Sequence, residues 1–388
     1  MNGWLAVKKS ISEFAKNFLL MVAGLCFALI MLEVFLRVLG NPFGFRIKGD
    51  QIVLPAHQKY EIHNTTVAQL DELIIHEKNS LGFRGAEPPT DFDANLTLVT
   101  VGGSTTECFY LSEGQTWTDG LGLLLEDNFS PLWINNAGLD GHSTYGHIVL
   151  MEDYLIQLQP KVILFLVGAN DMGLGDAGAY DRGIEKNTNT LPGLLKSASG
   201  HSEVAALLYN LARFVITRQQ DIGHGSLDTV NLPALEISEQ AKEAALQMHR
   251  QQYLSPYQSR LEQLIALARE NGIKPVLITQ PALYGNGVDP ETGIDWGRIA
   301  VKDLDGETQW EILELYNDVT RQVGVANDVL VIDLADELQK DSNYYYDMLH
   351  FTPAGAQRVA QIIYTYLCPS LSDTFGLFQT GACAETAN

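Results

Sequence analysis

Apolar positions along this chain follow three rhythms. Phe18 to Leu32 is an unbroken apolar run, and Val34 to Leu36 and Val38 to Leu39 carry it past Glu33. About twenty such residues cross the hydrocarbon core of a bilayer as a helix. Further on, short runs rich in β-branched residues recur at Asn95–Val101, Leu132–Asn135, Lys161–Val167, Pro275–Thr279 and Val329–Asp333. Their length and composition predict buried strands. Helical spacing fills the intervals at Trp117–Leu125, Thr144–Leu158, Pro256–Glu270, Glu307–Val325 and Pro353–Leu367, the last with proline in its first turn. Strands alternating with helices argue for a parallel sheet with right-handed crossovers. The expected fold is α/β, with flavodoxin-like strand order in three α/β/α layers and a site at the carboxyl ends of the strands.

Two stretches depart from this alternation. Residues 41–89 are rich in Gly, Pro and polar residues and read as an irregular linker and entry segment. Residues 172–252 separate two consecutive core strands by far more than an ordinary connection. Within them Glu203–Arg218 is predicted as a helix with Ser202 as its N-cap, and Ser238–Arg250 as a second. Val204, Leu207, Leu208, Leu211 and Val215 share one face of the first helix, a stripe that must be buried against something. A helical cap over the site is one expectation, and peripheral packing on the sheet is the other. The expected layout is a cytoplasmic N-terminus (1–17), a transmembrane anchor (18–39), an entry segment (40–94), a catalytic domain (95–367) holding the insertion, and a tail (368–388).

Charge sharpens the picture of the anchor. The 388 residues carry 25 Lys+Arg and 47 Asp+Glu, a net charge of −22. Lys8, Lys9 and Lys16 precede the apolar run, so the positive-inside rule puts the N-terminus in the cytoplasm. The chain after the run is then expected outside, periplasmic or extracellular, on a single-pass anchor of the cytoplasmic membrane. No small-x-small site follows the apolar core, which favours an uncleaved anchor over a signal peptide. So acidic a surface disfavours nucleic acid, which binds through Lys and Arg. Of the four cysteines, Cys26 lies in the anchor and Cys108 reads as a buried filler. Cys368 and Cys383 flank the tail and are a candidate disulfide in an oxidising compartment. No Cys/His spacing suggests zinc, and Asp303–Glu307 lacks the oxygen positions of a calcium loop. No metal and no cofactor are expected.

The candidate chemistry lies at strand ends. Ser104 follows Gly102 and Gly103 at the end of the first predicted strand, where glycines let a hydroxyl project and backbone N–H groups approach a substrate oxygen. A serine hydroxyl needs a base within reach. His350 is the candidate base, and Asp347, three residues earlier, can face the other ring nitrogen and fix its tautomer. Gly141 N–H, the Asn170 side chain and Ser104 N–H are candidate oxyanion donors. His142 and Tyr346 are weaker candidates for touching substrate. A solvent-exposed loop is the blander expectation for His142, and packing is the blander one for Tyr346.

These blocks resemble the SGNH, or GDSL-like, hydrolase family. Gly102-Gly103-Ser104-Thr105-Thr106 is similar to its serine block and Asn136-Ala137-Gly138-Leu139-Asp140-Gly141 to its glycine block. Gly168-Ala169-Asn170-Asp171 is similar to its asparagine block and Asp347-Met348-Leu349-His350 to its terminal block. The resemblance implies the three-layer fold over about Asn95 to Leu367. It also implies Ser104 as nucleophile, His350 as base, Asp347 as orienting acid, and Gly141 with Asn170 as oxyanion donors. Gly103 departs from the pattern, standing where the family's Asp usually precedes the serine. The anchor and Asn79-Ser80-Leu81-Gly82-Phe83-Arg84-Gly85 are similar to membrane-tethered bacterial members, often linked to exported polysaccharides. The expectation is an anchored extracytoplasmic serine esterase acting on acyl esters, with an O-acetylated exported glycan as first substrate. An O-acyltransferase using the same residues and a non-catalytic scaffold are the alternatives.

Overall fold

The computed structural model describes residues 2–39, 47–49, 51–177, 181, 191–219 and 232–383. The chain divides into two units, one of residues 1–53 with 185–220, the other of 54–184 with 221–388.

The larger unit holds a five-stranded parallel sheet: β1 (Leu96–Gly102), β2 (Leu132–Asn136), β3 (Val162–Leu166), β4 (Lys274–Ile278) and β5 (Leu330–Ile332). The strand order is β5-β4-β3-β1-β2, the flavodoxin-like arrangement. Every residue of β1 and β3 is buried, which is why β3 reads as a continuous apolar run and β1 as an apolar one interrupted only by the β-branched Thr97 and Thr100. Helices Trp117–Glu126 and Pro353–Phe375 pack on each other, and Leu254–Glu270 packs on Gly306–Ala326. Capping follows the sequence. Thr116 and Asp119 form a reciprocal capping box, and Thr352 caps the last helix ahead of Pro353. Asp305 accepts from Thr308 N at 2.9 Å, so the acidic run 303–307 is explained as a helix start.

Three elements differ from expectation. The last helix runs to Phe375, through Pro369, because Leu367, Cys368 and Leu371 are fully buried along its core face. Thr144–Leu158 is one helix with a π-helical segment at Met151–Leu155. The entry segment is less irregular than its composition suggests. Lys59–His63 pairs antiparallel with Leu73–Glu77, and Arg84 bridges to Asn136 beside β2. Cys368 and Cys383 are joined, with Cα atoms 5.8 Å apart.

The smaller unit is built on helix Asn2–Leu39. Residues 13–39 are long and apolar enough to cross a membrane, and the apolar window within them is only 6% buried. Beside it stand helices Leu191–Ser199 and Glu203–Gln219 and a two-stranded ribbon, Ile47–Lys48 with Gln51–Ile52. Ser202 accepts from Ala205 N at 3.2 Å, the N-cap expected of it. Of the apolar stripe, Leu208 and Leu211 are each 51% exposed. Val215 lies outside the described side chains.

Candidate active site

Ser104 stands at the turn where β1 gives way to the short helix Ser104–Glu107. Two close approaches dictate the glycines before it. A Cβ on Gly102 would lie 2.1 Å from Thr106 Oγ1 and 2.8 Å from the Leu166 carbonyl oxygen. A Cβ on Gly103 would lie 2.2 Å from Asn170 Nδ2. The side-chain amide of Asn170 therefore takes up the space where the Asp of a GDS triplet would begin.

The terminal block meets the serine from the other side. His350 Nε2 is 2.8 Å from Ser104 Oγ, and its Nδ1 is 2.7 Å from Asp347 Oδ2. The other Asp347 oxygen accepts from Leu349 N and His350 N, both at 2.8 Å. Burial acts to raise the Asp347 pKa, but the His350 contact and these two N–H groups outweigh it and hold the carboxyl below its ordinary value. The ring of Tyr346 stacks on His350 with centroids 5.6 Å apart and planes 14° from parallel. Imidazole and carboxylate are thus fixed before any substrate arrives.

The remaining blocks converge on the same strand ends. Asn170 lies in a short 3₁₀ turn after β3, entered through Gly168 at φ 126°, a conformation open to glycine. Its Nδ2 donates to the His142 carbonyl at 2.9 Å, which ties it to the residue after Gly141. One of its two amide hydrogens is used there. Gly141 adopts φ 74° in a loop held to β1 by Ala137 N to Thr100 O (2.9 Å) and Leu139 N to Gly102 O (3.1 Å). Ser104, Gly103, Thr105, Asn170, Gln280 and Leu349 line a narrow pocket beside the serine hydroxyl.

A family model described as GDSL-like Lipase/Acylhydrolase matches residues 100–358. The chain belongs to this family. As a GDSL-like hydrolase it has many solved structural counterparts. An acetylxylan esterase from Geobacillus stearothermophilus is 15% identical, with 69% of this chain and 91% of that one covered and a TM-score of 0.38. A protein named TesA is 15% identical, covering 70% and 98%, with a TM-score of 0.39. An α/β hydrolase named LAE5, from the metagenome of Lake Arreo, Spain, is 14% identical, covering 70% and 95%, with a TM-score of 0.39. No curated protein matches the chain.

Of this hydrolase's two weaker candidates, His142 sits differently from the blander expectation and Tyr346 packs as that expectation has it. His142 is buried, not solvent-exposed, and is one of the residues around the pocket. Its place is dictated by its own loop, where Ser143 N and Oγ each donate to Asp181 at 2.8 Å. Tyr346 is buried against the imidazole and is not among the residues lining the pocket. Cys108 is buried, its thiol pKa pushed up to about 12 by that burial, which suits a filler and not a nucleophile.

Several residues that hold the site went unnoticed in the sequence. Lys78 Nζ pairs with Glu107 Oε1 at 3.1 Å, both side chains almost wholly buried. The other Glu107 oxygen accepts from Asp140 N at 2.5 Å. One carboxylate therefore links the entry segment, the serine's helix and the glycine loop. Arg84 donates to the carbonyls of Cys108 (2.7 Å), Leu111 (3.0 Å) and Ser112 (3.1 Å), clamping the chain just after that helix. Arg260 donates to Thr144 Oγ1 at 2.6 Å and to Asp171 at 3.2 Å, fastening the loop after Asn170 to two helices. Gln280, just past the end of β4, accepts from Thr105 Oγ1 at 3.1 Å. The available signal was position. Glu107 follows the serine block directly, and Gln280 stands at the carboxyl end of a predicted strand.

Proposed function

We propose that this GDSL-like hydrolase is a membrane-anchored, extracytoplasmic serine esterase that cleaves short acyl esters, with an O-acetylated exported glycan as its first substrate class. The observation that carries the reading is the unbroken relay Ser104 Oγ, His350 Nε2, His350 Nδ1, Asp347 Oδ2, with spacings of 2.8 and 2.7 Å. Such a relay gives a serine the base that its hydroxyl needs. Ser104 Oγ attacks the ester carbonyl carbon while its proton passes to His350 Nε2. The imidazolium then returns that proton to the departing alcohol oxygen. Water, deprotonated by the same nitrogen, attacks the acyl-enzyme and releases the acid and free Ser104. Asp347 keeps the ring in the tautomer with Nε2 free and stabilises it once charged. The N–H groups of Ser104 and Gly141 and the side-chain amide of Asn170 are the donors for the oxyanion.

The short acyl group is supported by the narrow pocket, whose walls include Gly103, Thr105, Asn170 and Gln280. The compartment is supported by the apolar helix with Lys8, Lys9 and Lys16 before it, and by the Cys368–Cys383 bond, which persists in oxidising surroundings. A fluorophosphonate probe followed by intact and peptide mass spectrometry tests the nucleophile. The expected result is one adduct, on Ser104, absent after pretreatment with an acetyl-ester substrate analogue that traps the acyl-enzyme. An adduct elsewhere, or none in protein that hydrolyses aryl acetates, overturns the assignment. A reporter fused after Asn388 tests topology, with exported activity expected and cytoplasmic activity contrary to the reading.

A further inference from the structure

Glu33 is an acidic residue within a long apolar span, six residues before the helix end at Leu39. At 1.5 Å per residue it lies about 9 Å below that end. A carboxylate at such a depth is costly in lipid and is tolerated when paired. Its partners here are well defined. Glu33 Oε1 accepts from Arg37 Nε at 2.8 Å and from Glu203 N at 3.0 Å, and Oε2 accepts from Val204 N at 3.0 Å and Ser202 Oγ at 2.9 Å. The Arg37 guanidinium in turn donates to the His201 carbonyl at 2.9 Å. Glu33 thus takes up the free N–H groups that open helix Glu203–Gln219, as a capping side chain does, but from another helix.

This contact fixes depth. If residues 13–39 cross a bilayer, the start of helix Glu203–Gln219 lies where Glu33 lies, inside the outer boundary of the lipid. The two helices of this hairpin carry exposed apolar side chains, Leu208 and Leu211 at 51% exposure and Leu194 at 58% on helix Leu191–Ser199. The opposite side of the hairpin is occupied. Tyr209 is buried, Asn210 donates to the Ile47 carbonyl at 2.9 Å, and Ser199 Oγ accepts from Gly49 N at 2.9 Å. One face is packed and the other is apolar and open, the pattern of a helix lying in a membrane interface.

We propose that the hairpin Leu191–Gln219 is a second membrane element, docked on the anchor through Glu33, whose Leu194, Leu208 and Leu211 enter the outer leaflet. The inference rests on the anchor reading above, and its test separates the two. In full-length protein carrying Cys26→Ala, single cysteines replace Leu208, Leu211, Phe27 or Leu377 and carry an environment-sensitive fluorophore. Each variant is reconstituted in phosphatidylcholine/phosphatidylglycerol vesicles with acyl chains brominated near the headgroup. The expected result is quenching at Leu208 and Leu211 several-fold above that at the fully exposed Leu377. Quenching at Phe27 without quenching at Leu208 and Leu211 overturns the hairpin proposal and leaves the anchor standing. Absence of quenching at all positions, Phe27 included, overturns both.

Discussion

Two carboxylates flank Ser104, the nucleophile proposed above, and their hydrogen-bonding patterns are nearly the same. Glu107 lies three residues after Ser104, and Asp347 three before His350. Each gives one oxygen to a side chain and the other to backbone N–H. They differ in the partner. Glu107 faces the Lys78 ammonium at 3.1 Å, with side chains 2% and 1% exposed. Asp347 faces an imidazole that can gain and lose a proton, and both side chains keep 15% exposure. On the mechanism proposed above, the first pair holds geometry and the second serves chemistry. Burial and ion pairing alone do not make that distinction; what sets Asp347 apart is that its partner's other nitrogen reaches Ser104.

The largest effect separates the two carboxylates in rate. Asp347→Asn, which keeps the shape and removes the charge, is expected to lower kcat on aryl acetates by about 10³–10⁴-fold. Its urea midpoint near neutral pH should move little by comparison. Ser104→Ala and His350→Ala should each remove as much or more, and the double variant should lose no further activity, because the members act as one unit. Glu107→Gln losing as much rate as Asp347→Asn, with stability intact, would break the distinction.

Stability should show the reverse order. Glu107→Leu leaves the Lys78 ammonium buried without its anion, at a cost of about 3–5 kcal/mol in urea unfolding. Lys78→Met added to it should recover most of that loss, since an apolar pair of similar volume replaces a desolvated ion pair. Failure of the second substitution to recover stability would mean that Glu107 acts chiefly through Asp140 N and not through Lys78.

How much of this was legible follows the same division. The sheet could be read because β1 and β3 are buried on both faces, so burial wrote itself as short runs of apolar and β-branched residues. The candidate blocks could be read because the proposed nucleophile, base and acid are residue types that the reaction demands, Ser104 at a strand end and Asp347 with His350 just before the last helix. Glu107, Lys78, Arg84 and Arg260 could not, because a buried charge and a solvated one look alike until the partner is known. Lys78 and Glu107 are 29 positions apart and Arg260 and Asp171 are 89 apart, with no periodic pattern to join them. His142 was misjudged for the same reason, since its loop is pulled inward by Asp181, a contact made across 38 positions to Ser143. The helical extension past Leu367 was hidden by Pro369, which ordinarily argues for a helix end.

Asn170 offers a test within the reactive half of the comparison. It carries no charge, and its amide faces Gly103, so its effect should appear only where negative charge develops. Asn170→Ala is expected to lower kcat by about 10²–10³-fold, roughly 3–4 kcal/mol of transition-state stabilisation, with KM nearly unchanged. Stopped-flow acylation with an aryl acetate reads this directly. A raised KM with kcat preserved would make Asn170 a ground-state contact and remove it from the oxyanion site.

The smallest effect is in the pH dependence of stability. The Asp347 carboxyl is held below its ordinary value of 3.8, against the burial that would raise it, by His350 and the two N–H groups. A group whose pKa is lower in the folded state than in the unfolded chain adds stability above the unfolded value. That stability is lost as pH falls through the folded one, because the unfolded state takes up the proton first. The stability gap between wild type and Asp347→Asn should therefore narrow as pH falls below about 4. Urea unfolding of both proteins across that range reads the gap. A gap that does not narrow on the acid side would show that the folded structure does not favour the ionised carboxylate. Asp347 would then be reduced to a hydrogen-bonding shape that asparagine reproduces, and the contrast with Glu107 would rest on Ser104 and His350 alone.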